Sequence, residues 1–187
     1  MEIRLTRCTL RPWRRGDEEA LVRGANNRQV WRNLRDAFPN PYTLADAFAW
    51  IDRCVEAERP RGLAIEIGGA ACGSIGVFPL EDVHRRCAEI GYWLAEEHWG
   101  RGIMTEAVAA MTERAFRELD VVRIQAAVFA WNPASMRVLE KCGYVREGWL
   151  RKSVWKDGQL IDSAMYATWP EGADSGNPGK PFEPAFR

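Results

Sequence analysis

The sequence has no excess charge of either sign: 26 lysines and arginines stand against 26 aspartates and glutamates. A chain balanced in this way lacks the global basic field of a nucleic-acid binder or a polybasic membrane-surface protein, so neither partner is expected. Histidine is scarce, with His84 and His98 the only two in 187 residues. A serine-hydrolase triad would have to draw its base from that pair, and Gly73-Ser74-Ile75-Gly76 lacks the spacing of a nucleophile elbow. The five cysteines (Cys8, Cys54, Cys72, Cys87 and Cys142) contain no C-x-x-C pair, which removes a zinc ribbon and a dithiol redox motif. His84 and Cys87 have ligand-like spacing but no second pair beside them, so no metal is expected. Scattered thiols in odd number read as buried, reduced cysteine in a cytoplasmic protein. No apolar run is long enough to span a membrane, and the first residues lack the apolar core of a signal peptide.

What remains is the composition of one globular domain, 47% apolar and 28% charged, long enough to bury a core. Ile3–Arg11 alternates like a strand and meets Pro12. Asp17 reads as the N-cap of a short helix with Leu21 and Ala25 on its apolar side, and a second helical piece spans Gln29–Leu34. Thr43 caps a longer helix whose stripe is Leu44, Ala47, Phe48, Ile51 and Val55. Strands Leu63–Ile67 and Cys72–Phe78 flank Gly68-Gly69, a hairpin signal. In Cys87–Leu94, Ala88, Ile90, Tyr92 and Leu94 face one side, and Cys87, Glu89, Gly91 and Trp93 the other.

After Gly100-Arg101-Gly102 the period becomes helical, with Met104, Val108, Met111, Ala115 and Leu119 on one stripe. Val122–Phe129 is a further strand. Asn132-Pro133 opens a helix as N-cap and N1 proline, and Gly143 closes it. Tyr144–Trp155 and Gln159–Trp169 pair around Lys156-Asp157-Gly158. The order predicts a mixed α/β domain over residues 1–169. From Pro170 on, four prolines and three glycines in 18 residues forbid regular structure, which sets 170–187 apart as a tail.

The strand–Gly-x-Gly–helix junction is the most informative place. Glycines let the backbone approach a ligand, and a helix N-terminus offers unpaired N–H groups and partial positive charge to a pyrophosphate. A P-loop string does not occur, and a dinucleotide fingerprint would need a third glycine where Thr105 stands. An acyl-CoA turn and a tight turn with no ligand both fit these residues.

Ala88-Glu89-Ile90-Gly91-Tyr92-Trp93-Leu94, followed by His98-Trp99-Gly100-Arg101-Gly102-Ile103-Met104-Thr105-Glu106-Ala107, resembles the cofactor motif of the GNAT N-acetyltransferase superfamily. Asn132-Pro133-Ala134-Ser135, then Val138 to Tyr144 and Glu147-Gly148, resemble the segment that follows it there. Leu10-Arg11-Pro12-Trp13 and Pro39-Asn40-Pro41-Tyr42 are similar to the RimJ/RimL-type branch. The superfamily's Gln/Arg-x-x-Gly-x-Gly/Ala falls on Trp99, Gly102 and Met104, a departure at its first and last positions.

The resemblance implies a mostly antiparallel central sheet, splayed at an acyl-CoA site, with helices on both faces. It implies acetyl-CoA in a wedge between the Glu89 strand and the Val122–Phe129 strand, which would part near Leu94. Trp93 and Leu94 would flank that wedge. Backbone N–H groups of Gly100, Arg101, Gly102, Ile103, Met104 and Thr105 would receive the pyrophosphate, and Asn132 the pantetheine arm. An amine would attack the thioester directly, with a backbone N–H near Leu94 at the oxyanion.

Glu89 is then the candidate base, against the plainer reading of a strand carboxylate paired with an arginine such as Arg123. Ser135 is the candidate thiolate-protonating hydroxyl, against a helix serine bonding its own turn. Tyr166 is a rival acid or a core residue. His98 reads as a solvated loop residue. Trp31, Trp50, Trp93 and Trp155 could line an acceptor pocket or simply pack.

The expected activity is acetyl transfer to a primary amine, a peptide N-terminus or small amine. The alternative is a catalytically idle acyl-CoA- or partner-binding module. A peptide α-amine is roughly 10–15% neutral at pH 7 while a lysine amine is under ~0.1% neutral, which favours the former as acceptor. In the tail, Phe182 and Phe186 are the large apolar groups, and they are expected to dock on the domain or on a second subunit, giving a homodimer.

Overall fold

The computed structural model describes residues 2–57 and 62–170. The expectation that Phe182 and Phe186 dock, and the homodimer built on it, lie outside the described residues. The elements in order are β1 (Ile3–Arg4), β2 (Thr9–Arg11), α1 (Glu18–Ala25), α2 (Arg28–Trp31), α3 (Leu44–Glu56), β3 (Leu63–Ile67), β4 (Ala70–Pro79) and β5 (Cys87–Leu94). They continue with α4 (Ile103–Glu118), β6 (Arg123–Phe129), α5 (Pro133–Lys141), β7 (Val145–Lys156) and β8 (Gln159–Thr168). One eight-stranded sheet runs β1-β2-β3-β4-β5-β6-β8-β7. Its neighbours are antiparallel except β5 and β6, which are parallel and joined through α4.

Strand alternation divides the core between two faces. Leu63 and Ile65 of β3 join Ile90, Leu94, Val108, Met111 and Leu139 in one buried cluster beneath α4 and α5. Ala64 between them joins Leu21, Ala25, Ala47 and Ile51 in a second cluster beneath α1 and α3. Helices therefore cover both faces.

Several local expectations are corrected. Ile3–Arg11 is two short strands, not one: Leu5 N–H donates to Cys8 O at 2.9 Å, and Ile3 lies opposite Leu10. Asp17 makes no side-chain cap on α1. Its carboxylate is buried and takes two bonds from the Arg11 guanidinium, at 2.7 and 2.8 Å. That demand for a partner to buried charge outweighs a cap. The helix expected over Gln29–Leu34 is the single turn of α2, with Asn27 Oδ1 accepting from Gln29 N–H at 2.7 Å. On α3 the covered stripe is Ala47, Ile51 and Cys54, while Leu44, Phe48 and Val55 at its margins stay exposed. α4 ends at Glu118 and its stripe begins on Ile103 and Ala107, so Met104 and Leu119 pack only at the core's edge.

Candidate active site

The site begins with a change of partner along β5. Leu80 N–H donates to Cys87 O (2.9 Å) and Ala95 N–H to Cys72 O (2.8 Å). With the β4–β5 register, this turns the backbone groups of Glu89, Gly91 and Trp93 toward β4, and those of Ala88, Ile90, Tyr92 and Leu94 toward β6. β6 accepts that pairing only from Cys87 to Glu89, opposite Arg123 to Gln125. Beyond it β6 stays bonded to β8, and the two strands diverge. The parting therefore starts just after Glu89, five residues before the expected Leu94. It leaves Leu94 N–H facing the gap, while Leu94 O accepts from the Trp99 indole at 2.7 Å. On the other side β4 approaches closely: a Cβ on Gly73 would lie 2.5 Å from Trp93 O.

A cavity of about 410 Å³ fills the gap and connects the two faces of the sheet. Every predicted site residue lines it: Glu89, Trp93, Leu94, Gly100, Arg101, Gly102, Ile103, Met104, Thr105, Asn132 and Ser135. On the α4/α5 side, Gly100 (φ 73°) and Gly102 (φ 76°) turn the chain into α4, a conformation that side chains with a Cβ rarely adopt. Glu106 N–H makes a bond to Gly102 O, so the N–H groups of Ile103, Met104 and Thr105 precede the first helical bond and point out of the helix end. Arg101, Arg137 and Lys141 line the same region, and a Cβ on Gly102 would sit 3.7 Å from Arg7 Nε. This donor set fits a pyrophosphate.

Asn132 caps α5 as expected, its Oδ1 accepting from Ser135 N–H at 3.1 Å, which leaves its NH₂ as the group free to meet a ligand's carbonyl. Ser135 Oγ does not bond its own turn. It lies 2.8 Å from Tyr92 OH. Burial pushes the Tyr92 phenol above the ordinary tyrosine range, against a smaller opposing effect of the Ser135 bond, so this hydroxyl pair keeps its protons at neutral pH.

On the α1/α3 side, Glu89 faces the segment that follows α2. Its carboxylate pairs with Arg35, not with Arg123, which forms a fork with Glu147. Arg35 is three-quarters exposed (75%) and Glu89 less so (29%). The hairpin tip between β7 and β8 fixes this segment. Lys156, almost fully buried, donates to Asp36 Oδ1 at 2.7 Å and rests 3.8 Å from the Trp31 ring centre, and Arg28 reaches Asp157 at 2.7 Å. Asn33 is a lining residue whose Nδ2 donates to Gln29 O at 2.8 Å, while its Oδ1 is buried without a partner among the described residues.

Of the four tryptophans considered for the acceptor side, Trp93 lines the cavity. Trp31 stands behind the wall under Lys156, Trp50 packs against the second core cluster, and Trp155 points outward, 66% exposed. His98 is not a solvated residue: it is 15% exposed on the cavity wall, with Nε2 3.3 Å from Glu97 and Nδ1 buried without a partner among the described residues. Tyr166 is fully buried and its hydroxyl donates to Glu140 at 2.8 Å, away from the cavity, so the core reading holds. Tyr92, Trp99, Arg35, Arg7 and Lys156 were missed. Two of them carried a signal: Tyr92 shares its strand face with Leu94, and Trp99 stands at the first position of the cofactor signature. Among the described residues no group of three or more metal-type side chains could hold an ion, and no helix is long and apolar enough to cross a membrane.

A sheet parted between parallel strands, with a glycine turn and a helix N-terminus at one end of the gap and a carboxylate at the other, can take a phosphate-bearing ligand at one end and present a proton acceptor at the other. Residues 7–145 match the Acetyltransferase (GNAT) domain family, and the chain belongs to it. It is 44% identical over 94 residues to the Probable N-acetyltransferase YjcK of Bacillus subtilis, covering 48% of this chain. The match spans about half of that relative's length, 52%. It is 26% identical to the Spermidine N(1)-acetyltransferase of Vibrio cholerae, over 84% of this chain and 90% of that one. Among solved structures it is similar to Mycobacterium smegmatis RimJ in complex with CoA-disulfide, with a TM-score of 0.76 and 26% identity over 88% of this chain and 82% of that one.

Proposed function

We propose that the chain transfers acetyl from acetyl-CoA to a primary amine by direct attack. The observation that carries this reading is the parting of β5 and β6 after Glu89, because one cavity then reaches both the α4 N-terminus and the Glu89 carboxylate. The donor's pyrophosphate would lie on the N–H groups from Gly100 to Thr105 with Arg101 beside it, and its pantetheine arm on the Asn132 amide. The amine nitrogen bonds to the thioester carbonyl carbon, and Leu94 N–H receives the oxyanion. Glu89 takes the amine's proton, directly or through a water. The carbon–sulfur bond breaks, and the departing thiolate takes a proton from the Ser135–Tyr92 hydroxyl pair, which water replenishes.

The pairing of Glu89 with Arg35 favours one rival, a module that binds acyl-CoA without turning it over. Thiol release measured with a panel of primary amines separates the two. Saturable acetyl-CoA binding with amine-dependent thiol release supports the transferase. Binding with no release by any amine leaves the idle module. Five scattered cysteines, three of them buried, support a reducing, cytoplasmic setting.

A further inference from the structure

Among the described residues, Glu89 is the carboxylate on the cavity wall, and it already has a cation on it: the exposed guanidinium of Arg35. An acceptor amine reaches the cavity as an ammonium ion and needs Glu89 to take its proton. A simple cationic amine must break the ion pair and leave Arg35 without a partner beside its own positive charge. A polyamine meets the same obstacle, and each further ammonium adds to the positive charge beside Arg35. A molecule carrying both an ammonium and a carboxylate meets none. Its ammonium takes Glu89 while its carboxylate takes Arg35, so one ion pair is exchanged for two and no charge is stranded.

The geometry is prepared for such an exchange. Arg35 lies in the segment that Lys156, through Asp36, and Asp157, through Arg28, tie to the hairpin tip. The backbone that carries Arg35 is therefore held beside Glu89 when the guanidinium leaves the carboxylate.

We propose that the acceptor carries a carboxylate within a few bonds of its reacting amine, and that Arg35 selects it by binding that carboxylate and releasing Glu89. This rests on the acetyltransferase reading above and names its substrate class. Two sources share the chemistry, a free α-amino acid and a peptide with an acidic first residue.

The test compares matched pairs on the CoA-saturated protein by calorimetry and, with acetyl-CoA, by thiol release. The probes are phenylalanine against phenylalanine amide, and Asp-Ala-Ala amide against Asn-Ala-Ala amide. We expect the acidic member of at least one pair to be preferred by roughly tenfold or more, the value of one charge-assisted bond, and that pair identifies the source. Arg35→Met should reduce the preference to about threefold or less, and Arg35→Lys should restore part of it. Equal binding of acidic and neutral members in both pairs overturns the proposal. So does an Arg35→Met variant that weakens both members alike, which is the mark of a merely structural arginine. A binding preference kept without thiol release sustains the carboxylate selectivity and overturns only the transferase reading.

Discussion

The two ends of the cavity are made of different material. The α4/α5 end is built mainly on backbone: glycines at positive φ and the first N–H groups of α4, with an asparagine cap on α5 and the cations Arg101, Arg137 and Lys141 around them. The α1/α3 end is side chain: a carboxylate on β5, an arginine from a segment 54 residues earlier, and a buried lysine from the far hairpin. Backbone donors cannot be rearranged without refolding a turn, which suits the invariant phosphate part of a donor. Ion pairs can be exchanged one for another, which suits the part that must recognise a particular acceptor. The donor end should thus respond to substitution through acetyl-CoA affinity, and the acceptor end through turnover and acceptor KM.

The largest effect is expected at the acceptor end. Glu89→Gln keeps shape and hydrogen bonding but removes the proton acceptor, and kcat should fall by about 10²–10⁴ with acetyl-CoA affinity kept. A loss under about fivefold, read by thiol release, would demote Glu89 to a partner of Arg35. Gly102→Ala should do the reverse. A Cβ at φ 76° costs on the order of 1–3 kcal/mol of backbone strain, and relief of that strain re-aims the N–H groups of the turn. Acetyl-CoA affinity should fall about tenfold or more by calorimetry, while selectivity among acceptors stays.

Much of the donor end was legible for the same reason that it is rigid. Gly100, Gly102, Asn132 and Pro133 are residue types chosen by local backbone demands, and such demands leave short patterns. Strand alternation also sorted Glu89 and Trp93 from Tyr92 and Leu94. The acceptor end left no such trace. Nothing near Arg35 marks it as Glu89's partner, and Arg123 was an equally reasonable candidate until the fold placed it on Glu147. Lys156 read as one residue of a hairpin turn, yet it is buried against Trp31 and Asp36. Asp17 read as a cap because its neighbours fit one, while its carboxylate answers Arg11 instead.

Smaller effects sharpen the contrast. Tyr92→Phe and Ser135→Ala belong to neither end but to the departing sulfur between them, so each should lower kcat by about tenfold with acetyl-CoA affinity kept, since water can replace either as proton donor, and the double variant should lose less than the product. Lys156→Met keeps the apolar stem but frees Asp36, so acceptor KM should rise several-fold with acetyl-CoA affinity unchanged. A change confined to acetyl-CoA would break the division between the ends.

The weakest effect is on stability at high pH. Burial pushes the Tyr42 and Tyr144 phenols up to about 12. A tyrosine in the unfolded chain ionises near pH 10, so the unfolded state releases its proton first. The stabilisation is present in full below about pH 10 and is lost as the pH climbs toward 12. Melting temperatures across pH 8–12 should stay level and then fall over that window.

The central claim, that one cavity brings acetyl donor and amine together for direct transfer, is tested most directly by mass balance. Thiol released and acetylated amine formed are measured together, with a preferred acceptor, in the native chain and in Glu89→Gln. Direct transfer predicts one acetylated amine per thiol, and a Glu89→Gln variant that binds acetyl-CoA normally while both products fall together. Saturable acetyl-CoA binding with no acetylated amine from any acceptor, in native chain and variant alike, would contradict it.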